Sequence, residues 1–277
     1  MNKQMNIVFS CDKNYFKHLC AVLVSILRNA KADREFSFKI LSCDWGGEEV
    51  EKICKLKSIK NFDLELINVD KSNFEKMPLL NSEYMSSQTY FKYLICDIFK
   101  TLERVLYLDV DICVRGDLLE LYNTDFEGNL AVVVGDFYKK IDELTQELGV
   151  KNYFNAGVML FNLEGLRREK IAEKLFENTE RMAREGKIKF FDQCVFNYTL
   201  DGRVKFVSPK YNAQLGLFQT IFQKMYSEDV LKAAIENPVI VHYTTEKKPW
   251  SAECPHPFKE DFLAAEEEVK KISENML

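Results

Sequence analysis

Asp109 and Asp111 stand one residue apart at the end of the apolar run 105–108 (VLYL). Side chains of an extended segment alternate faces, so carboxylates at i and i+2 point the same way. Held that close, they repel each other unless something positive lies between them. A hard divalent cation with oxygen ligands is the usual answer. The chemistry suggested is metal binding, and beside it binding of a phosphate-bearing ligand whose charge the ion offsets. The plain alternative is an Asx turn closing a strand.

Residues 105–108 have no polar face, as a central strand covered on both sides should have. In an open α/β sheet, ligands bind beyond the carboxyl ends of the strands. The rest of the chain supplies such a sheet. Residues 6–10, 36–42, 64–69, 105–109 and 129–134 read as strands, and 156–162 and 239–242 as later ones. Helical spacing covers 18–29, with Leu19, Val22, Leu23, Ile26 and Leu27 on one face. Residues 48–58, 87–99 and 168–184 also read as helices, and 258–275 as a charged amphipathic one. Alternation of strand and helix predicts an α/β fold with a largely parallel sheet and helices on both faces.

Composition narrows the function classes. The chain has 277 residues, 47% of them hydrophobic, and a net charge of −5. That is enough to bury a large core, and it gives no nucleic-acid footprint. No apolar stretch reaches the ~18 residues of a membrane helix, and residues 1–9 lack the length of a signal peptide. Eight cysteines are scattered without a C-x-x-C pair, which reads as free thiols of a cytoplasmic protein. Neither G-x-G-x-x-G after the first strand nor G-x-x-x-x-G-K-[ST] is present. A nucleotide bound here would need a cation, not a glycine loop, to neutralise its phosphates.

Six segments then occur in order: FSCDKNY at 9–15, TYFK at 89–92, YLDVD at 107–111, YFNAG at 153–157, FDQ at 191–193 and HYTTEKKPW at 242–250. One D-x-D is common by chance; the ordered set is not. Together they resemble the family 8 retaining glycosyltransferases, which include bacterial lipopolysaccharide galactosyl- and glucosyltransferases and resemble glycogenin. The resemblance implies a GT-A type single domain with a Rossmann-like, mostly parallel sheet over 1–257, leaving 258–277 as a C-terminal amphipathic helix. It implies a UDP-sugar donor, UDP-glucose or UDP-galactose. The implied acceptor is a glycan or lipid-linked saccharide, such as lipopolysaccharide or another cell-surface glycan. The implied cofactor is Mn²⁺, with Mg²⁺ as the substitute.

The same resemblance assigns roles. Asp109, Asp111 and His242 would hold the metal, an imidazole beside two carboxylates suiting Mn²⁺ better than Mg²⁺ or Ca²⁺. Val110, between the acids, falls on the donor. Lys248 would meet the diphosphate, and Thr245 stands where relatives often carry glycine. Ser10, Asp12 and Asn14 would hold uracil and ribose. Lys92, where a relative has arginine, would reach donor sugar or phosphate. Asn155, Ala156 and Gly157 would lie against the donor hexose. Asp192 would accept from remote hydroxyls, and Gln193 would sit beside the anomeric carbon opposite the leaving group. Cys194 replaces an aspartate of the relative compared.

Each role has an ordinary rival. Asp12 and Asn14 suit a helix N-cap, Lys92 an exposed helix surface, Lys248 a solvated pair with Lys247. Residues 77–87 and 211–226 are long, aromatic- and Met-rich segments of the kind that fold over a donor. Phe218, Phe222 and Tyr226 fit a core-facing stripe. The tail 258–277 holds more acid than base, so membrane contact is expected to be peripheral at most. Rival functions are a haloacid-dehalogenase-like phosphatase, with Asp109 as nucleophile and Gly135-Asp136 as a later acidic motif; a nucleotidyltransferase; and an inactive sugar-nucleotide binder.

Overall fold

Strands that are apolar on both faces demand cover on both sides, and this sheet has it. The computed structural model describes residues 4–74, 77–78, 87–219 and 224–274. Among them, β1 (Gln4–Ser10), β2 (Glu35–Ser42), β3 (Asp63–Asn68), β4 (Arg104–Leu108), β6 (Ala131–Gly135), β7 (Phe154–Asn162) and β8 (Val204–Phe206) form a sheet in the order β3-β2-β1-β4-β7-β6-β8. Alternation sorts the core into two layers. Ile7, Phe9, Leu106, Leu108, Val158 and Leu160 pack on one side, Val8, Val105, Tyr107, Met159 and Phe161 on the other.

Helix α1 (Phe16–Asn29) covers the first side through Leu19, Val22, Leu23 and Ile26. The first half also contains α2 (Gly47–Cys54), α3 (Ile95–Ile98), α4 (Leu119–Tyr122) and α5 (Ile141–Leu148). The second half adds α6 (Leu163–Arg168), α7 (Ile171–Arg184) and α8 (Phe191–Thr199), which cover the other side with residues such as Leu166, Leu175 and Phe196. Later come α9 (Leu215–Phe218), α10 (Glu228–Glu236) and α11 (Lys259–Glu274), the last packed on α1. All eight cysteines are free thiols. No helix among the described residues is long and apolar enough to cross a membrane.

The sheet is mostly parallel, with β7 the strand that runs against both its neighbours, β4 and β6. Its amino end therefore lies where its neighbours' carboxyl ends lie, which brings residues 154–157 to the ligand edge. A smaller sheet joins β5 (Ile112–Val114), β10 (Ile240–His242) and β9 (Ala213–Gln214) in the order β5-β10-β9. Its register sets His242 opposite Ile112, one residue beyond Asp111.

Several expected elements are cut differently. Strand β4 ends at Leu108, so Asp109 and Asp111 converge from a turn and not from one strand face. Residues 87–99 form a 3-10 helix, Ser87–Leu94, before the single turn of α3. The helix expected over 48–58 tightens to 3-10 geometry at Lys55–Ser58. The one expected over 168–184 is broken by Lys170, whose φ of 53° cannot continue a right-handed helix. The stripe of Phe218 and Tyr226 does not form: Phe218 packs on His256 and Phe258, Tyr226 on Phe137. Residue 222 and most of 77–87 lie outside the described residues.

Candidate active site

Asp109, Asp111 and His242 each offer one ligand atom, and these atoms lie within 4.8 Å of one another. Three elements meet to do this: the turn after β4, the start of β5, and the end of β10. Asp109 accepts from the Tyr107 hydroxyl at 2.8 Å and Asp111 lies 3.2 Å from His242 Nε2. Lys248 Nζ donates to Asp111 at 2.5 Å and to the Tyr243 carbonyl at 2.8 Å. Burial would raise the Asp111 pKa, but Lys248 and His242 outweigh it and hold the carboxyl well below its usual range. Gly157 lies directly beneath the group: a Cβ there would collide with the His242 ring and the Asp109 carboxylate.

The imidazole is fixed from behind. His242 Nδ1 lies 2.9 Å from Asn212 Oδ1, and Asn212 is fully buried. Asn212 Nδ2 donates to Asn155 Oδ1 at 2.9 Å, so its oxygen faces the ring. Nδ1 is then the donor, and Nε2 is the nitrogen that faces Asp111 at 3.2 Å and Asp109 at 3.9 Å. A metal seated among the three would take the Nε2 lone pair, because Nδ1 is committed to Asn212.

The network continues to Gln193. Its Oε1 accepts from Asn155 Nδ2 and from the Ala156 N–H, both at 3.1 Å, and its Nε2 donates to Asp136 Oδ2 at 3.0 Å. Asn155 Nδ2 also reaches that carboxylate, at 3.1 Å. Asp136 is buried, and burial raises its pKa although Asn155, the Tyr138 N–H and Gln193 pull the other way. Gln193 reaches this position because Phe191, at the start of α8, takes a left-handed φ of 41°. Such a conformation in a non-glycine residue persists only where the surroundings enforce it.

Lys92 is not the exposed helix lysine of its ordinary reading. It is buried, pairs with Asp192 at 2.8 Å and Asp109 at 3.7 Å, donates to the Ala156 carbonyl at 3.1 Å, and lies over the Tyr107 ring. Burial alone would lower its pKa; Asp192 and Asp109 raise it instead. Asp192 also accepts from the Thr89 hydroxyl at 2.5 Å.

The sequence profile described as Glycosyl transferase family 8 matches residues 6–254. The chain belongs to glycosyl transferase family 8. A lipopolysaccharide 1,3-galactosyltransferase of Salmonella typhimurium is 28% identical over 269 residues, spanning 95% of this chain and 77% of that one. A lipopolysaccharide 1,2-glucosyltransferase of Escherichia coli is 29% identical over 250 residues, spanning 88% and 73%. The crystal structure of the galactosyltransferase LgtC with donor and acceptor sugar analogues superposes with a TM-score of 0.84 at 25% identity, over 95% of this chain and 96% of LgtC. The protein is thus a glycosyltransferase of GT-A type fold, which sets aside the phosphatase and nucleotidyltransferase readings.

Glycosyltransferases of this fold typically use a divalent metal, and the donor set fits one: two carboxylates and an imidazole lone pair, with a second-layer amide fixing the ring. The other residues expected to bind the donor differ in their local surroundings. Ser10 Oγ donates to the Gln88 carbonyl at 2.6 Å. Asp12 caps the 3-10 turn Lys13–Tyr15 by accepting from the Tyr15 N–H at 3.1 Å, as its ordinary reading had it. Asn14 is exposed; Val110 and Thr245 are half-buried. Asn212 and Asp136 were missed by sequence reasoning. Only the placement of Asp136 directly after an apolar strand signalled it, and there it imitated a phosphatase motif.

Proposed function

We propose that this protein is a retaining hexosyltransferase, moving glucose or galactose from a UDP-sugar to a glycan acceptor. Lipopolysaccharide or another cell-surface or lipid-linked saccharide is the class we favour, after the activities of the two relatives. The observation that carries the reading is the convergence of Asp109, Asp111 and His242 within 4.8 Å beside Lys248 in a family 8 fold. Mn²⁺, or Mg²⁺ in its place, would be held by these three residues and would supply charge stabilisation for the departing diphosphate.

The chain's own residues do the rest. Lys248 offers an ammonium to the diphosphate, a flexible point charge suited to phosphate. Ser10, Asp12 and Asn14 take the uracil and ribose, Val110 and Thr245 flank the donor, and Asn155, Ala156 and Gly157 lie along the hexose. Lys92 supports the site from below as counter-charge to Asp192 and Asp109. LgtC has an active-site glutamine, altered to glutamate in a solved variant, and we assign that part to Gln193. Its amide is a poor nucleophile and is held at both ends. Attack then comes from the acceptor hydroxyl on the face the diphosphate leaves. The new carbon–oxygen bond forms as the old one breaks, and the proton passes to the leaving phosphate oxygen. Gln193 steadies the positive charge that develops on the sugar, with Asp136 orienting its amide.

The test is UDP release from a panel of UDP-hexoses, with Mn²⁺, Mg²⁺ or a chelator. Turnover of one donor, dependent on metal and lost in Asp109→Ala and His242→Ala, is the expected result and names the sugar. Metal-dependent UDP binding with no turnover under any acceptor would convert the protein to an inactive binder; no UDP binding would sink the reading.

A further inference from the structure

The C-terminal helix reaches the active site through a stacked pair of rings. His18, in the first turn of α1, lies parallel to Trp250 with centroids 3.5 Å apart and planes at 13°. Its Nδ1 is 2.8 Å from the Glu266 carboxylate on α11. Tyr15 meets Trp250 edge-on at 5.8 Å, and Phe262 of α11 packs beside both stacked rings, 5.6 Å from Trp250 and 6.1 Å from His18. Trp250 ends the segment that begins at Tyr243 and carries Lys248 to Asp111. That segment is anchored at its start, where the Tyr243 N–H donates to the Asp111 carbonyl at 2.9 Å and the Tyr243 hydroxyl to the Phe258 carbonyl at 2.7 Å. The stack is its anchor at the other end.

A histidine with 4% exposure facing a carboxylate is a directed contact: the hydrogen bond fixes the ring about χ2, and the ring plane sets where the indole lies. We propose that Glu266 and His18 are positioning residues for Lys248. The C-terminal helix holds the imidazole, the imidazole holds Trp250, and Trp250 fixes the span on which the ammonium reaches the donor diphosphate. This inference rests on the donor reading of Lys248 given above.

The test uses full-length protein carrying Trp45→Phe, which leaves Trp250 as the only tryptophan of the original two. Glu266→Ala removes the carboxylate; Glu266→Gln keeps an oxygen for the His18 N–H. The first readout needs no nucleotide: Trp250 anisotropy falls and its emission shifts to the red in Glu266→Ala, and both stay with the parent in Glu266→Gln. The second is titration with UDP and MnCl₂: affinity falls about fivefold in Glu266→Ala, the fold-change of about one ordinary hydrogen bond, and less than about twofold in Glu266→Gln. Unchanged Trp250 emission in Glu266→Ala overturns the proposal. So does a lowered melting temperature with UDP affinity per folded molecule unchanged, the mark of a merely structural contact. A parent protein that binds no UDP defeats the donor reading instead, and Trp250 emission then decides alone whether Glu266 holds the segment.

Discussion

Asn212 Oδ1 lies 2.9 Å from His242 Nδ1, and the amide that carries it has no exposure to solvent. One buried side chain thereby decides which imidazole nitrogen carries the proton and which is left for a metal. Replacing it with alanine removes the acceptor and frees the ring. We expect Asn212→Ala to weaken Mn²⁺ binding by about 10–100-fold, the usual effect of losing an outer-layer partner. Calorimetric or EPR titration with Mn²⁺ measures it. Affinity unchanged from wild type would mean that the ring is oriented by its packing alone.

Asp136 binds both Gln193 Nε2 and Asn155 Nδ2 through one oxygen. Asp136→Ala lets the Gln193 amide rotate away from the place assigned to it. Misplacing a reacting-centre group by an ångström costs about 100-fold in rate. We expect kcat to fall by that order while donor KM changes less than about threefold. Steady-state kinetics on the donor found in the panel separate the two; an equal rise in KM would point to a binding role.

Lys92 is a buried cation between Asp192 and Asp109. Removing one partner of a buried ion pair leaves charge uncompensated and costs about 3–5 kcal/mol. Lys92→Met should therefore lower the urea midpoint by that equivalent. Lys92→Met together with Asp192→Asn should recover part of it. A single variant as stable as wild type would show that water already screens the pair.

His256 gives a pH dependence with a definite sign. Burial pushes its pKa down from 6.5 to about 4, against a hydrogen bond to the Ala213 carbonyl. Between those values the unfolded chain binds the proton more readily than the folded one. The contribution to stability is complete above pH 6.5 and is lost as pH falls towards 4, on the order of 3 kcal/mol. Urea unfolding from pH 7.5 to 4.5, compared with His256→Gln, isolates it: the difference between the two proteins should grow with pH across that window.

The site was legible wherever chemistry and local sequence coincide. Asp109 and Asp111 announce themselves by spacing, and the short segments at 153–157, 191–193 and 242–250 by their order. Asn212 and Asp136 were not legible, because their partners lie far along the chain: Asn155 is 57 residues from Asn212, and Gln193 is 57 from Asp136. Polar residues look alike in sequence until the fold pairs them. For the same reason the sequence left Lys92 open between a donor-binding and a surface lysine, since nothing within a turn of it shows the two acids that bury it. The sheet was legible, but the direction of β7 was not: a run of apolar residues reads the same for a parallel or an antiparallel strand. The bend at Phe191 escaped because no glycine or asparagine marks its left-handed φ.

The reversed strand has one more effect. Because β6 ends and β7 begins at the same edge, the 18-residue stretch from Asp136 to Tyr153 leaves the sheet and returns to it at a single neck. The neck is tied by Gly135 opposite Phe154 and by the Asp136 N–H on the Tyr153 carbonyl at 3.1 Å. The backbone of Asp136 and Asn155 is placed by the sheet, and beyond the knot the Tyr138 N–H donates to the Asp136 carboxylate at 2.8 Å. The outer face of helix α5, away from the buried Ile141, Leu144 and Leu148, is thus the part free to change composition while the residues at the two ends of the stretch keep their places.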